Sequence, residues 1–276
     1  PPLSHEPPPP PPHPHHRHQA PQEVCINRKA RDIDVRVQGY DNTIRIATDA
    51  FRGSVSVYGA GNTVVIEEGV RVGNPCNIIL GSRGCPCFNC SIIVRRQTFL
   101  GEVELKCAEA GSSIEIGENC LFAHHILIWC SDGHTIRHDD GSFNVGRNIR
   151  IGSHVWVGLD VKIGKNTVIA DDCMVGWGSV VTGRFEEPHC LLAGVPDRIC
   201  RHGITWDEKR PMDYMPDTLV NWYPDWDALP RPSLPVRLLL RLKLRWYCHL
   251  SVHKSDMQKR RKYERKAAEV LRRLES

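Results

Sequence analysis

The chain has 276 residues, of which 41% are hydrophobic and 25% charged, with a formal net charge of +4. That length supports one large domain with appendages, and the apolar share is enough for a packed core. No apolar run is long enough to span a bilayer, so no membrane-spanning helix is expected; the first residues show no charged-then-apolar leader pattern, and the expected location is cytoplasmic.

Residues 1–22 read PPLSHEPPPPPPHPHHRHQAPQ. Pro and His dominate, and such a segment buries too little surface to offset its ordering entropy. A disordered or polyproline-II tail is expected, whose histidines bind metal at most adventitiously.

Residues 23–206 carry the signature of an all-β solenoid. Between Ile33 and Cys107 short β-rich pieces (IDVRVQG, TIRIATD, SVSVYG, NTVVIEEGVRVG, NIILG, SIIVRR, VELK) are punctuated by Gly and Asn. They read as early, degenerate coils. Cys85, Cys87 and Cys90 form a C-x-C-x-x-C cluster within them. Structural zinc takes four ligands in paired spacings, and no second cluster completes this one. The cysteines are therefore expected to fill corners and interior positions, and no metal site is expected.

The register tightens at Ile116, Phe122 and Ile128, six residues apart. Val145 then lies 17 residues further on, not 18, so the polar stretch between them reads as a loop leaving the coil. Loops on a rigid scaffold are where catalytic groups tend to sit. From Val145 an aliphatic recurs every sixth residue: Ile151, Val157, Ile163, Ile169, Val175 and Val181. Gly follows most of them, and small or branched residues (Ile149, Val155, Val161, Thr167, Cys173, Ser179) sit four positions on. This period fits neither an α-helix nor a plain amphipathic strand; it is the mark of a parallel β-helix.

After Val181 the pattern stops, and residues 184–206 are expected to run back along the helix. Residues 207–276 form a Pro- and aromatic-rich arm followed by a helical extension. Residues 231–276 hold 14 Lys or Arg against 4 Asp or Glu. Arg237, Arg241 and Arg245 form one helical stripe and KRRKYERK follows. Peripheral association with the inner face of an anionic cytoplasmic membrane is one reading of this region. A trimer-packing helix is the alternative, with nucleic-acid binding the least favoured.

The stretch NVGRNIRIGSHVWVGLDVKIGKNTVIADDCMVGWGSVVTG, followed by LLAGVPDRI, resembles the closing coils and exit motif of hexapeptide-repeat acyltransferases. SDGHTI (Ser131 to Ile136) resembles the "DGH-[ST]-I" loop of the branch that acetylates capsular polysaccharides, polysialic acid among them. The resemblance covers roughly residues 33–206. It implies a left-handed parallel β-helix, a protruding catalytic loop, a homotrimer with sites shared between subunits, acetyl-CoA as co-substrate with no tightly bound cofactor, and a saccharide hydroxyl as acceptor. Trp177 stands where Ala is usual, and Val195 and Asp197 where Asn and Ala are usual.

O-acetylation needs a base for the hydroxyl, and His is the commonest, since its free pKa lies near neutrality. His134 matches the family's His. Its orienter is expected among Asp132, Asp139, Asp140 or a backbone carbonyl. The thioester is already activated, so no acyl-enzyme is needed; a route through Cys130 is the lesser alternative. Trp156 points outward and matches the family's "VWIG" Trp, which implies acceptor and thioester positioning, or else subunit packing. The amide of Gly158 or a neighbour is the expected oxyanion donor. The resemblance places the coenzyme along Gly158, Gly176, Trp177, Ser179 and Arg198, with Arg198 or Lys162 on phosphate oxygens. The functional expectation is an acetyl-CoA-dependent O-acetyltransferase acting on a bacterial surface or capsular saccharide. A small-sugar or xenobiotic O-acetyltransferase, or a non-catalytic scaffold, are the alternatives.

Overall fold

The computed structural model describes residues 22–209, together with 242–243, 266 and 268–270. The expectations for the Pro/His tail, the Pro/aromatic arm and the basic extension lie almost wholly outside the described residues. The chain divides into two units, Pro1–Asp207 and Glu208–Ser276. Among the described residues no helix is long and apolar enough to cross a membrane.

The first unit is a left-handed parallel β-helix with three walls. The first wall runs from Glu23–Ile26 through Ser113–Ile116, Ile149–Ile151 and Val168–Ile169 to Arg184–Phe185. The second runs from Ile33–Tyr40 through Val103–Cys107, Ile126–Trp129 and Lys162–Ile163 to Val180–Val181. The third starts only at Arg71–Val72 and continues through Leu121–Phe122, Trp156–Val157 and Met174–Val175 to Leu191–Ala193. The early coils are thus degenerate in that they lack a third-wall strand. Each coil visits the first, third and second walls in turn. Strands stack on their own counterparts one coil away, as Leu121 does on Trp156 and Trp156 on Met174.

Two residues of each six-residue step face inward. Val157, Ile163, Ile169, Val175 and Val181 are buried, and so are Val155, Val161, Thr167, Cys173 and Ser179 two positions before them. The small or branched residues are therefore the second inward row rather than spacers. Burying one Val or Ile side chain contributes about 1.5–3 kcal/mol, so the repeat is its own source of stability. Cysteine fills the narrow corners: Cys120, Cys173 and Cys190 are buried, each two residues before a third-wall core residue. Cys87 and Cys90 also point inside, while Cys85 is exposed, so the three thiols of GCPCFNC do not converge. Val145 departs from the expected register. It is 46% exposed and belongs to the excursion, and the unbroken repeat begins at Ile149–Ile151.

The coil also continues past Val181. Arg184–Phe185 and Leu191–Ala193 add a further turn on the first and third walls, and only Arg198–Arg201 turns back, antiparallel to Leu191–Ala193. Asp197 braces this exit by accepting from the backbone N–H of Gly183 at 2.9 Å and of Thr182 at 3.2 Å.

Close coil stacking is demanding at Gly59. Its φ is +130°, and a Cβ there would lie 1.7 Å from the carbonyl oxygen of Cys87. Gly59→Ala combines a forbidden dihedral with a backbone collision and is expected to cost ~3 kcal/mol or more. A denaturant melt checks this; a loss below ~1 kcal/mol would show that the early coils are loosely stacked.

Candidate active site

The excursion leaves the second wall after Cys130 and returns before the first-wall strand Ile149–Ile151. Its neck is closed by the Arg147 N–H donating to the Cys130 carbonyl at 3.0 Å. The Glu109 carboxylate, from the coil below, accepts from both sides of the neck, from the Ser131 hydroxyl and the Gly146 N–H. Gly133 (φ +76°) packs over the Trp129 ring, and its N–H donates to the Ser131 hydroxyl at 2.9 Å. The indole N–H of Trp129 is buried without a hydrogen-bond partner.

Asn144 organises the interior of the loop. Its amide donates to Asp132 Oδ2 at 2.6 Å and to the His134 carbonyl at 2.9 Å, and its Oδ1 accepts from the Ile136 N–H at 2.5 Å. Lys165, from the next coil, donates to the Asn144 carbonyl at 2.8 Å and pairs with Asp132 Oδ2 at 2.5 Å. The His134 carbonyl is thus held by Asn144, itself anchored by Lys165, while the imidazole is left exposed. Asp132 meets Lys165 and Asn144 through Oδ2 and makes no hydrogen bond to that imidazole in this structure. Asp140 is also spent locally, accepting from the Ser142 N–H at 2.9 Å. The acyl-cysteine alternative fails on geometry: Cys130 is fully buried, with its thiol on the Ser112 hydroxyl and the Lys106 carbonyl.

The Lys165 ammonium, with help from the Asn144 amide, holds the Asp132 carboxyl below the usual carboxylate range. A depressed folded value means that the anchor is complete above the ordinary pKa of about 3.9 and is lost as pH falls through the lowered value. The pair is partly exposed, so its effect on global stability is small. Lys165→Met should raise the pH at which the 131–148 amides lose protection in hydrogen exchange. An unshifted profile would show that the ion pair does not anchor the loop.

Trp156 stands in the outward row of the third wall, between Leu121 and Met174. What covers it is Trp206 of the same chain, 6.0 Å away and tilted by 49°. Trp206 also stacks on His154 at 4.4 Å, and its indole N–H donates to the His154 carbonyl at 2.8 Å. His154 in turn is fixed through Nδ1 by Asp172 at 2.7 Å. Nothing in the repeat marks Trp206 or His154, because both lie outside the inward positions.

The residues expected at the coenzyme cluster at the corner between the third and second walls. Trp177 is 70% exposed there, and a Cβ on Gly158 would lie 2.3 Å from its Cδ1, so Gly158 is the floor on which the indole rests. Arg198 is exposed on the antiparallel exit strand, opposite Ala193, whose side chain lies against Gly176. Lys162 lies on the second wall beyond this corner. Two expectations need correction. Ser179 is fully buried, donating to the Gly176 carbonyl at 2.7 Å and accepting from the Gly194 N–H at 3.1 Å, so it offers no side chain to a ligand. The Gly158 N–H donates to the Val175 carbonyl at 2.9 Å and that of Gly176 to Leu192 at 2.8 Å; neither amide is free to be an oxyanion donor.

The topology separates these groups. His134 and Asp132 rise from the corner between the second and first walls. Trp156, Gly158, Gly176, Trp177 and Arg198 gather on the third wall and its corner with the second. One chain therefore presents two half-sites, a His-bearing loop and an aromatic ridge, with the width of the second wall between them.

A three-walled left-handed coil with a His-bearing excursion defines the class of hexapeptide-repeat acyltransferases. The polysialic acid O-acetyltransferase of Neisseria meningitidis is 32% identical over 207 residues, 67% of this chain and 96% of that protein. The galactoside O-acetyltransferase of Escherichia coli K12 is 34% identical over 92 residues, 32% of this chain and 44% of that protein. The crystal structure of the polysialic acid O-acetyltransferase OatWY superposes with a TM-score of 0.56 at 25% identity, covering 73% of this chain and 96% of that one. No family model matches the chain. The chain belongs to the hexapeptide-repeat O-acetyltransferases, and it is an enzyme of acyl transfer.

Proposed function

We propose that this enzyme transfers acetyl from acetyl-CoA to a hydroxyl of polysialic acid. The observation that carries the reading is the near-complete coverage of the meningococcal polysialic acid enzyme, joined to the rigid presentation of Asp132-Gly133-His134 on a stapled loop. The His134 imidazole takes the proton of the acceptor hydroxyl as its oxygen attacks the thioester carbonyl carbon. The tetrahedral intermediate then expels the coenzyme A thiolate, which recovers that proton from the imidazolium. Bond formation and cleavage both occur at the acetyl carbon, so no enzyme nucleophile is required.

The two half-sites favour a homotrimer in which the loop of one subunit faces the ridge of the next. Trp156 and Trp177 then offer flat apolar faces to the sugar ring and the pantetheine arm, and Arg198 offers a guanidinium to phosphate oxygens. In this reading the enzyme works in the cytoplasm, where acetyl-CoA is made, with the basic C-terminal region on the inner face of the membrane.

Trp206 is the support of this arrangement, since it holds Trp156 on one side and His154 on the other. Trp206→Ala should lower kcat/KM for the acceptor about tenfold, as expected when a positioning surface is displaced, and cost about 3 kcal/mol in stability. Trp206→Phe should recover most of the activity. An alanine variant with unchanged acceptor kinetics would remove Trp206 from the account. The reading as a whole is tested by coenzyme A release with polysialic acid and with a galactoside as acceptors. Release with the galactoside alone would move the enzyme to the small-sugar branch.

A further inference from the structure

We propose that Glu187, Cys190 and His202 form a binding site for one divalent transition-metal ion of the zinc class, at the junction between the last coil and the exit strand. Among the described residues they are the one set of three His, Cys or carboxylate ligand atoms lying within 4.8 Å of one another. The donors span thiolate, imidazole and carboxylate, the mixture that suits zinc, and three protein ligands leave a fourth position for water.

The site is built by the fold rather than by chance approach of surface chains. Glu187 and Cys190 belong to the turn between Arg184–Phe185 and Leu191–Ala193. The antiparallel pairing of Leu191 with Arg201 sets the next residues, Cys190 and His202, side by side. Cys190 Sγ is 3.7 Å from His202 Nδ1. Zinc bonds of about 2.3 Å to sulfur and about 2.0–2.1 Å to nitrogen, at a tetrahedral angle, require an S···N edge of about 3.6 Å. That edge is already formed. Glu187 Oε1 is 2.8 Å from the same Nδ1, at hydrogen-bond distance. The tetrahedral O···N edge is about 3.4 Å, so along this edge the exposed glutamate moves by about 0.6 Å to admit an ion, and its oxygen lies within 4.8 Å of the thiol.

Cys190 is fully buried, while Glu187 and His202 are exposed and give the ion its route in. Binding displaces the thiol proton and moves the imidazole proton from Nδ1 to Nε2. The ligands then carry a thiolate and a carboxylate, and their two negative charges match the ion's two positive ones. The bound ion joins the last coil to the exit strand directly before Ile204, whose N–H donates to the His189 carbonyl at 2.9 Å, and Trp206. Metal would therefore tighten the segment that carries Trp206, independently of any step of acetyl transfer.

The test is titration of the full chain with Co2+, read by the thiolate-to-cobalt charge-transfer band, and with Zn2+, read by the thermal midpoint. The histidines of residues 1–22 can take up Co2+ but hold no thiol, so they give no such band. The expected result is a band saturating at one equivalent, a rise in midpoint with Zn2+, and loss of both in Cys190→Ser. His202→Ala, a surface change that leaves the core intact, should also abolish the midpoint rise. Absence of the band in the wild type would overturn the site. So would a band that persists in Cys190→Ser, since another thiol such as Cys85 or Cys200 would then be the ligand.

Discussion

His134→Ala should lower kcat by about 10²–10⁴-fold while leaving the affinity for acetyl-CoA nearly unchanged. The expectation follows from what the loop does with this residue. Its backbone carbonyl is tied to the Asn144 amide at 2.9 Å, and its imidazole is left exposed. A side chain with no structural duty should fold as alanine without loss, so the effect separates into chemistry alone. Initial rates of thiol release, with a thermal melt as control, decide the matter. A variant retaining more than about a tenth of the activity would assign the base elsewhere, since a general base contributes at least a hundredfold.

Asn144→Ala is the second large effect, and it acts from behind the reacting group. One side chain makes three hydrogen bonds, to Asp132, to the His134 carbonyl and from the Ile136 N–H. Removing it leaves the Lys165–Asp132 pair as the main hold on this part of the loop. Global stability should fall by only about 1–3 kcal/mol, because the loop lies outside the core. Turnover should fall further, by about 10–100-fold, since an ångström of misplacement at a proton-transfer group is enough for that. Full activity in Asn144→Ala would mean that the loop is ordered by something other than its own chain. Together with Lys165→Met, the substitution asks whether His134 works because it is present or because it is held.

The six-residue period made the late coils legible, since one geometric unit repeats and each repeat buries the same two positions. The early coils were legible as β but not as three-sided, because their strands are longer and their third wall is missing before Arg71. Val145 was misplaced because an aliphatic at the right spacing is indistinguishable in sequence from one in the coil. The loop itself announced its position through a lost register, but Glu109, Asn144 and Lys165 did not. They are ordinary polar residues whose role comes from coils 20 to 40 residues apart being stacked, which no local pattern encodes. Ser179 was misassigned because the family resemblance places the coenzyme along the late coils by position, while the coil uses this hydroxyl to close a corner. The amide of Gly158 was expected to be free, but in a solenoid the next coil takes it.

The central claim is tested most directly by incubating the enzyme with acetyl-CoA and an oligomer of sialic acid and weighing the saccharide by mass spectrometry. The account predicts added acetyl groups on the oligomer, removed by mild base as esters are, in amounts that match the free thiol released. Thiol release with an unmodified oligomer, or acetyl found on a neutral galactoside and not on the sialic acid chain, would contradict it.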